Sequence, residues 1–306
     1  MASEDEHEVE HAHAHDHEHG NPPQGGSWGA IADSLVADAT MFLPVLNAAI
    51  THVQDVLGTT PVNRILDFGS GPGVTTVALA GRFPEARVIA ADGSPELLAM
   101  VHARAVEAGV ADRVETLHTD LAGSPVSAAA SFDLVWASMV IHHFDDPLLT
   151  LTRMAEGMAP GGVLAVVEFG SPLTMFPAED EGSRSGTWDR VREASAQALR
   201  QHLPHAAATD WADAVRGAGF EVAAIHDCVL DVPAPLPATH REWLRHRLSR
   251  DRQTSADVLG ADDLAALDRV IDPGGSGGVL AREDVFIRTS RALYVGRRPR
   301  AGRERR

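Results

Sequence analysis

The sequence predicts an α/β fold: a seven-stranded, mostly parallel sheet sandwiched by helices, with helical insertions after strands 5 and 6. Three observations support this prediction. Short apolar runs alternate with helix-length amphipathic segments along most of the chain. The first apolar run ends in an acidic residue and a glycine-rich loop, Asp67–Gly73. The 306 residues are 44% hydrophobic, which is enough to bury a sizeable core.

Residues 1–27 form a separate compositional unit that we expect to be a disordered, His-rich acidic tail. It combines seven acidic residues with histidines at positions 7, 11, 13, 15, 17 and 19. Too few apolar side chains are present to offset the entropy of ordering. Two interpretations stay open: the alternating imidazoles bind Zn²⁺ or Ni²⁺ loosely, or the segment is only a solubilising tail.

Residues 28–306 are predicted to form one domain. Helical patterning runs from Trp28 to Leu57 and is divided by Pro44. Apolar runs predict strands at 63–68, 87–91, 113–118, 132–137, 162–169, 220–230 and 285–296. Helical periodicity predicts helices at 74–83, 95–109, 146–158 and 209–218. Pro160-Gly161-Gly162 is interpreted as the turn into the fifth strand.

Two long excursions interrupt this alternation, at 171–206 and 232–281. The first contains a predicted helix from Trp188 to Leu203, and the second contains two or three short helices. Long excursions in compact α/β domains are often lids or binding loops. We therefore expect both to be helical lids.

Composition excludes several classes of protein. The net charge is −17, every basic residue is arginine, and the only basic cluster is Arg297–Arg306, so nucleic acid is not the expected substrate. The single cysteine, Cys228, rules out an internal disulfide and a Cys₄ zinc site. No secretory signal and no apolar run of about 20 residues are present, so we expect a cytoplasmic protein without a membrane span.

The loop after the first strand indicates which nucleotide is bound. Its glycines, Gly69, Gly71 and Gly73, have the spacing G-x-G-x-G, whereas a dinucleotide fingerprint needs a third glycine where Val74 stands. Together with the preceding Asp67, this loop resembles motif I of the class I S-adenosylmethionine-dependent methyltransferases. The resemblance extends over about residues 60–170 and implies S-adenosylmethionine as the cofactor.

The resemblance and the strand ends together predict the cofactor site. In the family, the glycine loop passes against the methionine portion, and Asp67 helps to hold the loop and the amino group. Asp92, followed by Gly93, lies 19 residues beyond Gly73 and can accept hydrogen bonds from both ribose hydroxyls. By the same resemblance, Asp120 accepts from the adenine amino group and Leu121 packs against the purine. Ser138, at the end of the fourth strand, completes the predicted set.

The segment after the fourth strand, Ser138–Phe144, resembles that of the small-molecule methyltransferases. It lacks the Asn/Asp-Pro-Pro-aromatic motif of enzymes acting on exocyclic base nitrogens or glutamine amides, and the paired acids of magnesium-dependent catechol enzymes. We therefore predict a small-molecule substrate and no metal. His142 is the candidate general base, because an imidazole with a near-neutral pKa can deprotonate an acceptor. The alternative is that His142 and His143, which should point apart, only pack structurally.

Apolar side chains suggest that the acceptor is apolar or aromatic. We expect the pocket to be lined by Met139, Met175, Phe176, Trp188 and Trp243. Three other functions stay open: a non-catalytic S-adenosylmethionine-binding protein, a nicotinamide-dependent oxidoreductase, and an enzyme that keeps the cofactor for another reaction such as decarboxylation or cyclisation. The acceptor atom and the oligomeric state are not predicted.

Overall fold

A computed structural model describes residues 28–123, 131–177, 186–203 and 209–300. The predicted tail, 1–27, and the end of the arginine cluster, 301–306, lie outside the described residues. So do 178–185 and 204–206, which belong to the first predicted insertion, and the short segments 124–130 and 207–208.

Seven strands form one sheet in the order β3-β2-β1-β4-β5-β7-β6. The strands are β1 (Arg64–Phe68), β2 (Arg87–Asp92), β3 (Val114–His118), β4 (Phe132–Ser138), β5 (Met158–Phe169), β6 (Glu221–Val232) and β7 (Ile287–Arg297). Neighbours among β1 to β5 are parallel, while β7 is antiparallel to both β5 and β6. The predicted seven-stranded, mostly parallel sheet is therefore confirmed.

Helices cover both faces of the sheet. They are α1 (Trp28–Met41), α2 (Leu43–Leu57), α3 (Val74–Arg82), α4 (Pro95–Glu107), α5 (Pro147–Glu156), α6 (Thr187–His202), α7 (Trp211–Gly217), α8 (Ala238–Thr254) and α9 (Ala261–Ile271). Consecutive residues of β1 enter different cores. Ile65 packs with the helices α1 to α4, and Leu66 packs with α5 and α7. Both faces of the central strands are thus buried, as expected for parallel strands.

The local signals in the sequence account for several helix boundaries. Pro44 lies in the first turn of α2, where a missing amide hydrogen costs nothing, so it begins the second helix. Ser94 caps α4 by accepting a hydrogen bond from the amide of Leu97 at 3.2 Å. Asp146 caps α5 in the same way, through the amide of Leu149 at 2.8 Å.

The interpretation of Pro160-Gly161-Gly162 as the turn before the fifth strand is wrong. β5 begins earlier, at Met158, and these residues form an irregularity inside it. From the pair Phe132–Met158 to the pair Leu134–Val163, β4 advances by two residues and β5 by five. Gly161 has a φ of 83° there, which glycine adopts readily. Its amide donates a hydrogen bond to the carbonyl of Arg298, the residue that follows β7.

Both insertions contain helices, as expected. The first contributes α6, and the second contributes α8 and α9, of 17 and 11 residues. α8 is attached to α1, because Trp243 Nε1 donates to Asp38 at 2.7 Å and Arg250 pairs with the same carboxylate at 3.2 Å.

Within the described ranges, no single helix is long and apolar enough to cross a membrane. The bent pair Ile31–Met41 and Leu43–Leu57 meets the criteria of length and composition only when its two helices are taken together.

Candidate active site

The candidate site lies at the carboxyl ends of the parallel strands, where the strand order reverses between β1 and β4. Ligands of open α/β sheets bind at this position, because the loops on either side of the reversal leave a crevice. The predicted residues at the ends of β1, β2 and β4 all lie at this edge. Two residues that were not predicted, Glu168 at the end of β5 and Arg291 of β7, also lie here.

The glycine loop after β1 requires glycine for two different reasons. Gly69, Gly71 and Gly73 have φ values of 69°, 53° and 85°, in the region that other residues avoid. A Cβ on Gly69 would lie 2.3 Å from Cγ2 of Val140, and one on Gly73 would lie 2.8 Å from Cα of Val101. A Cβ on Gly71 would meet no protein atom within 4 Å. Gly71 therefore borders open space, whereas its two neighbours are packed against the fold.

Asp92 holds this loop. Its Oδ2 accepts a hydrogen bond from the amide of Gly71 at 2.9 Å, and its Oδ1 accepts one from the amide of Ser94 at 2.9 Å. The side chain is buried, and burial raises the pKa of the carboxyl despite these hydrogen bonds. The amide of Gly93 also stabilises the carboxylate, and the remaining acceptor capacity of Asp92 is available to a ligand hydroxyl.

Asp67 lies beneath the loop and is fully enclosed. Its Oδ2 accepts a hydrogen bond from Oγ1 of Thr76 in α3 at 2.6 Å. Burial raises the pKa of Asp67 to about 7, Thr76 opposes the shift, and the nearby Asp92 adds to it. Asp67 thus connects strand β1 to helix α3. Ser70, in the glycine loop, has a buried hydroxyl without a partner among the described residues.

The remaining predicted cofactor residues surround the same edge at greater exposure. Asp120 is exposed, and its Oδ1 accepts a hydrogen bond from the amide of Ala122 at 3.0 Å. Leu121 is half-buried against the core beneath β1 and β4. Gly93 has its carbonyl 3.2 Å from Nε2 of His118. Ser138 is the half-buried last residue of β4 and pairs with Val167 of β5.

His142 forms a buried pair with Glu168. The imidazole lies in a 3₁₀ turn, Ile141–His143, and its Nδ1 is 2.6 Å from Oε2 of Glu168. A carboxylate can only accept, so Nδ1 carries the proton in this pair. In the neutral ring Nε2 then holds a lone pair, and it has no hydrogen-bond partner among the described residues. The other oxygen of Glu168, Oε1, is buried without a partner among the described residues. Glu168 was not among the predicted site residues, although it is an acid at the end of an apolar strand like Asp67 and Asp92.

The two histidine side chains differ in exposure, since His142 is buried and His143 is exposed, as side chains that take different directions should be. Their rings nevertheless remain in contact, with centroids 4.3 Å apart. Desolvation and the neighbouring His142 lower the pKa of His143 to about 4. His143 is thus neutral at neutral pH. The ring of His142 also contacts Phe169, at a centroid distance of 4.8 Å.

Arg291 lies on the other side of Phe169. Its guanidinium carbon is 4.0 Å from the ring centroid of Phe42 and 5.6 Å from that of Phe169. Burial lowers the pKa of Arg291 to about 10; Arg247 adds to the shift, and Asp38 and Glu168 oppose it. Arg291 nevertheless remains a cation at neutral pH.

Three of the five residues predicted to line the acceptor pocket, Met175, Phe176 and Trp188, line one cavity of about 370 Å³. Phe286 and the polar residues Thr174, Asp189 and Arg192 line the same cavity. Trp243 lies elsewhere, packed edge-on against Phe42 at 6.1 Å and bonded to Asp38. Met139 does not line this cavity either. Its φ is 55°, in the loop directly after β4. Among the described residues, no group of three or more His, Cys, Asp or Glu side chains is placed to hold a metal ion.

Comparison with known proteins agrees with this geometry. A family model described as a methyltransferase domain matches residues 38–225, more than half of the chain. Trans-aconitate 2-methyltransferase of Azoarcus sp. is 32% identical over 133 residues, covering 42% of this chain and 49% of that protein. Malonyl-[acyl-carrier protein] O-methyltransferase of Herminiimonas arsenicoxydans is 31% identical over 170 residues, covering 56% and 57%. The chain thus spans about half the length of these relatives.

Solved structures show the same fold at low sequence identity. A candidate methyltransferase from Bacillus halodurans superposes with a TM-score of 0.52 at 18% identity, covering 81% of this chain and 98% of that one. The YcgJ protein of Bacillus subtilis gives 0.51 at 16% identity, covering 83% and 99%. With the family match and the strand order, these findings confirm the resemblance: the chain belongs to the class I methyltransferase family, whose cofactor is S-adenosylmethionine.

Proposed function

We propose that this chain transfers a methyl group from S-adenosylmethionine to a small-molecule acceptor at the carboxyl edge of its sheet. The observation that supports this most is the hydrogen bond from the amide of Gly71 to Asp92. It joins the glycine loop after β1 to the acid at the end of β2 and places both beside open space. A ribose diol needs such an acceptor, and a glycine loop lets the protein backbone come close to a ligand.

The residues at this edge suit the parts of the cofactor. The remaining acceptor capacity of Asp92 suits the ribose hydroxyls, and the exposed carboxylate of Asp120 suits the adenine amino group, which only donates. We assign cofactor binding to Asp67, Gly69, Gly71, Gly73, Asp92, Gly93, Asp120, Leu121 and Ser138. When bound, S-adenosylmethionine supplies a methyl group attached to a sulfonium sulfur. The sulfur is a good leaving group because it departs as a neutral thioether.

The main task of the protein is then to align the acceptor with the methyl carbon. Holding two reactants in line contributes about 7–11 kcal/mol to lowering a barrier. His142 serves as general base where the acceptor must lose a proton, because no described residue binds its Nε2 while Nδ1 is held by Glu168. Glu168 is a positioning residue in this scheme: it orients the ring and stabilises the imidazolium that forms.

Cofactor binding is tested with Asp92→Asn. The loss of a charged acceptor should weaken the binding of S-adenosylhomocysteine by about tenfold or more, measured by calorimetry. Glu115→Gln is the matched control, because Glu115 is an exposed acid of β3 that pairs with Arg87 away from the site. Equal affinity in wild type and Asp92→Asn would contradict the assignment.

The role of His142 is tested with His142→Asn, which keeps a donor near the position of Nδ1 and removes Nε2. Methylated product is followed by mass spectrometry over a panel of acceptors. Turnover should fall by about 10²-fold or more with unchanged affinity for S-adenosylhomocysteine. His143→Asn, one residue away, should retain most of the activity. If His142→Asn turns over at the wild-type rate, the histidine has no role in the chemistry.

An acceptor with an apolar or aromatic body remains part of the proposal. The cavity formed by Met175, Phe176 and Trp188 supports it, since small-molecule sites are lined mainly by apolar side chains. The net charge of −17 supports a substrate other than nucleic acid. The cytoplasm is the proposed location, in keeping with a chain that has a single, buried cysteine.

A further inference from the structure

Arg291 is a half-buried cation without an ion-pair partner in the part of the chain that the structure describes. Among the described residues its guanidinium has neither a hydrogen bond nor an ion pair, although it lies between the rings of Phe42 and Phe169. Cation–π contact stabilises the charge but supplies no acceptor for the five N–H donors, which lie in the plane of the guanidinium. A partly desolvated guanidinium without acceptors is costly, and folded proteins rarely retain one without a use.

Within the described residues, neither of the nearby acids forms a hydrogen bond or an ion pair with Arg291, although both add negative charge near it. Asp38 accepts hydrogen bonds from Trp243 and Arg250. Glu168 binds His142 through Oε2. The neighbouring cation Arg247 is likewise paired with Asp251, at 3.1 Å. The donors of Arg291 are therefore available to a ligand.

The position of Arg291 places it beside the proposed chemistry. In the register of β5 with β7 it is the partner of Phe169, the last residue of β5 and the immediate neighbour of Glu168. Phe169 contacts the ring of His142 on one side and the guanidinium of Arg291 on the other. Phe169 is also exposed, so this row of three side chains reaches solvent at the carboxyl edge.

We propose that Arg291 binds a carboxylate of the methyl acceptor and so selects acceptors that carry one. The planar fork of a guanidinium matches the two oxygens of a carboxylate. A single negative charge suits this location better than a doubly charged phosphate, because Asp38 and Glu168 already add negative charge nearby. The aromatic rings beside it suit an apolar body attached to the acid. The inference rests on the proposed function, since it names the class of acceptor for the same site.

The experiment compares carboxylic acids with their neutral amides. Binding of benzoate, phenylacetate and hexanoate, each against its primary amide, is measured by calorimetry at pH 7.5, with and without S-adenosylhomocysteine. Phenylphosphonate is titrated in the same way as the phosphonate counterpart of benzoate. The variants are Arg291→Met and Arg291→Lys, and the matched control is Arg288→Met. Arg288 lies on the same strand but is exposed and paired with Asp231. Thermal unfolding and S-adenosylhomocysteine affinity report whether each variant is folded.

We expect at least one acid to bind wild type about tenfold or more tightly than its amide, the effect of a charge-assisted hydrogen bond. Arg291→Met should abolish this preference, Arg291→Lys should retain part of it, and Arg288→Met should leave it unchanged. Acids that bind no better than amides, or a preference that persists in folded Arg291→Met, overturn the proposal. Tighter binding of phenylphosphonate than of benzoate overturns the choice of a carboxylate.

The same titrations separate this inference from the proposed function. A folded wild-type protein that does not bind S-adenosylhomocysteine contradicts the proposed function, whatever acids it binds. A protein that binds S-adenosylhomocysteine but shows no acid preference dependent on Arg291 contradicts only the assignment of Arg291.

Discussion

Gly58 and Gly71 have similar φ values, 60° and 53°, and neither has a protein atom within 4 Å of the position of a Cβ. Alanine at such a positive φ is strained, at a cost of about 1–3 kcal/mol. We therefore predict that Gly58→Ala and Gly71→Ala both lose free energy of unfolding. Only Gly71→Ala should also lose affinity for S-adenosylhomocysteine, because the added methyl group enters the space left for the ligand.

Urea unfolding and calorimetry of the two variants check this prediction. Gly58 follows α2 and lies away from the carboxyl edge, so it measures the backbone cost alone. If both variants bind S-adenosylhomocysteine as wild type does, the space beside Gly71 is not part of the cofactor site.

Asp67 should make stability depend on pH. Its pKa rises from 3.8 to about 7 on folding because the carboxyl is buried, so the folded state keeps a proton that the unfolded state releases. This contribution is fully present below pH 3.8 and is lost as pH rises to about 7. Each pH unit in that window changes the free energy of unfolding by about 1.4 kcal/mol at most.

The prediction is checked by subtracting the unfolding free energy of Asp67→Asn from that of wild type at several pH values. Asparagine still accepts the hydrogen bond from Thr76 but does not titrate, so the difference isolates one group. The difference should decrease between pH 4 and pH 7 and level off above it. A difference that stays constant over this range would show that Asp67 is ionised in the folded protein.

At the scale of elements, specific side-chain contacts attach α8 to the core more than the apolar periodicity of its sequence does. Trp243 and Arg250 bind Asp38 of α1, and Leu244 and Leu248 are fully buried. Trp243→Phe should cost about 1 kcal/mol through its lost hydrogen bond and should speed hydrogen exchange in α8. Arg252→Met removes an exposed pair with Asp268 and should change both quantities little.

Exchange measured by mass spectrometry compares the two variants over 238–254. Equal exchange in Trp243→Phe and wild type would mean that apolar packing alone holds α8. The result also bears on the expectation that 232–281 is a lid, since a lid must open at a lower free energy than the sheet.

Most elements could be predicted because their signals are local. Pro44, Ser94 and Asp146 mark helix starts by properties of their own side chains and backbone. The beginning of β5 was misplaced because Pro160-Gly161-Gly162 has the composition of a turn. The irregularity is stabilised by a partner distant in the sequence, Arg298, which no local pattern reveals.

At the scale of the whole molecule, residues 28–306 should behave as one methyltransferase domain. Removal of residues 1–27 should leave the midpoint of thermal unfolding and the affinity for S-adenosylhomocysteine unchanged. Removal through residue 42 should destabilise the protein, because it deletes Asp38 and the buried Phe42. Loss of stability on removing only 1–27 would show that the tail belongs to the folded domain.

The sequence alone determined the fold class, the family, the cofactor and the acids at the ends of β1 and β2. These signals are short-range: a strand, its terminal acid and the following loop lie within about ten residues of each other, as in βα units generally. Only the tertiary structure decided which distant side chains meet. His142 and Glu168 are 26 residues apart, and Arg291 reaches Phe169 across more than a hundred residues. Because β7 inserts between β5 and β6, pairing across the sheet rather than order along the chain places these groups together.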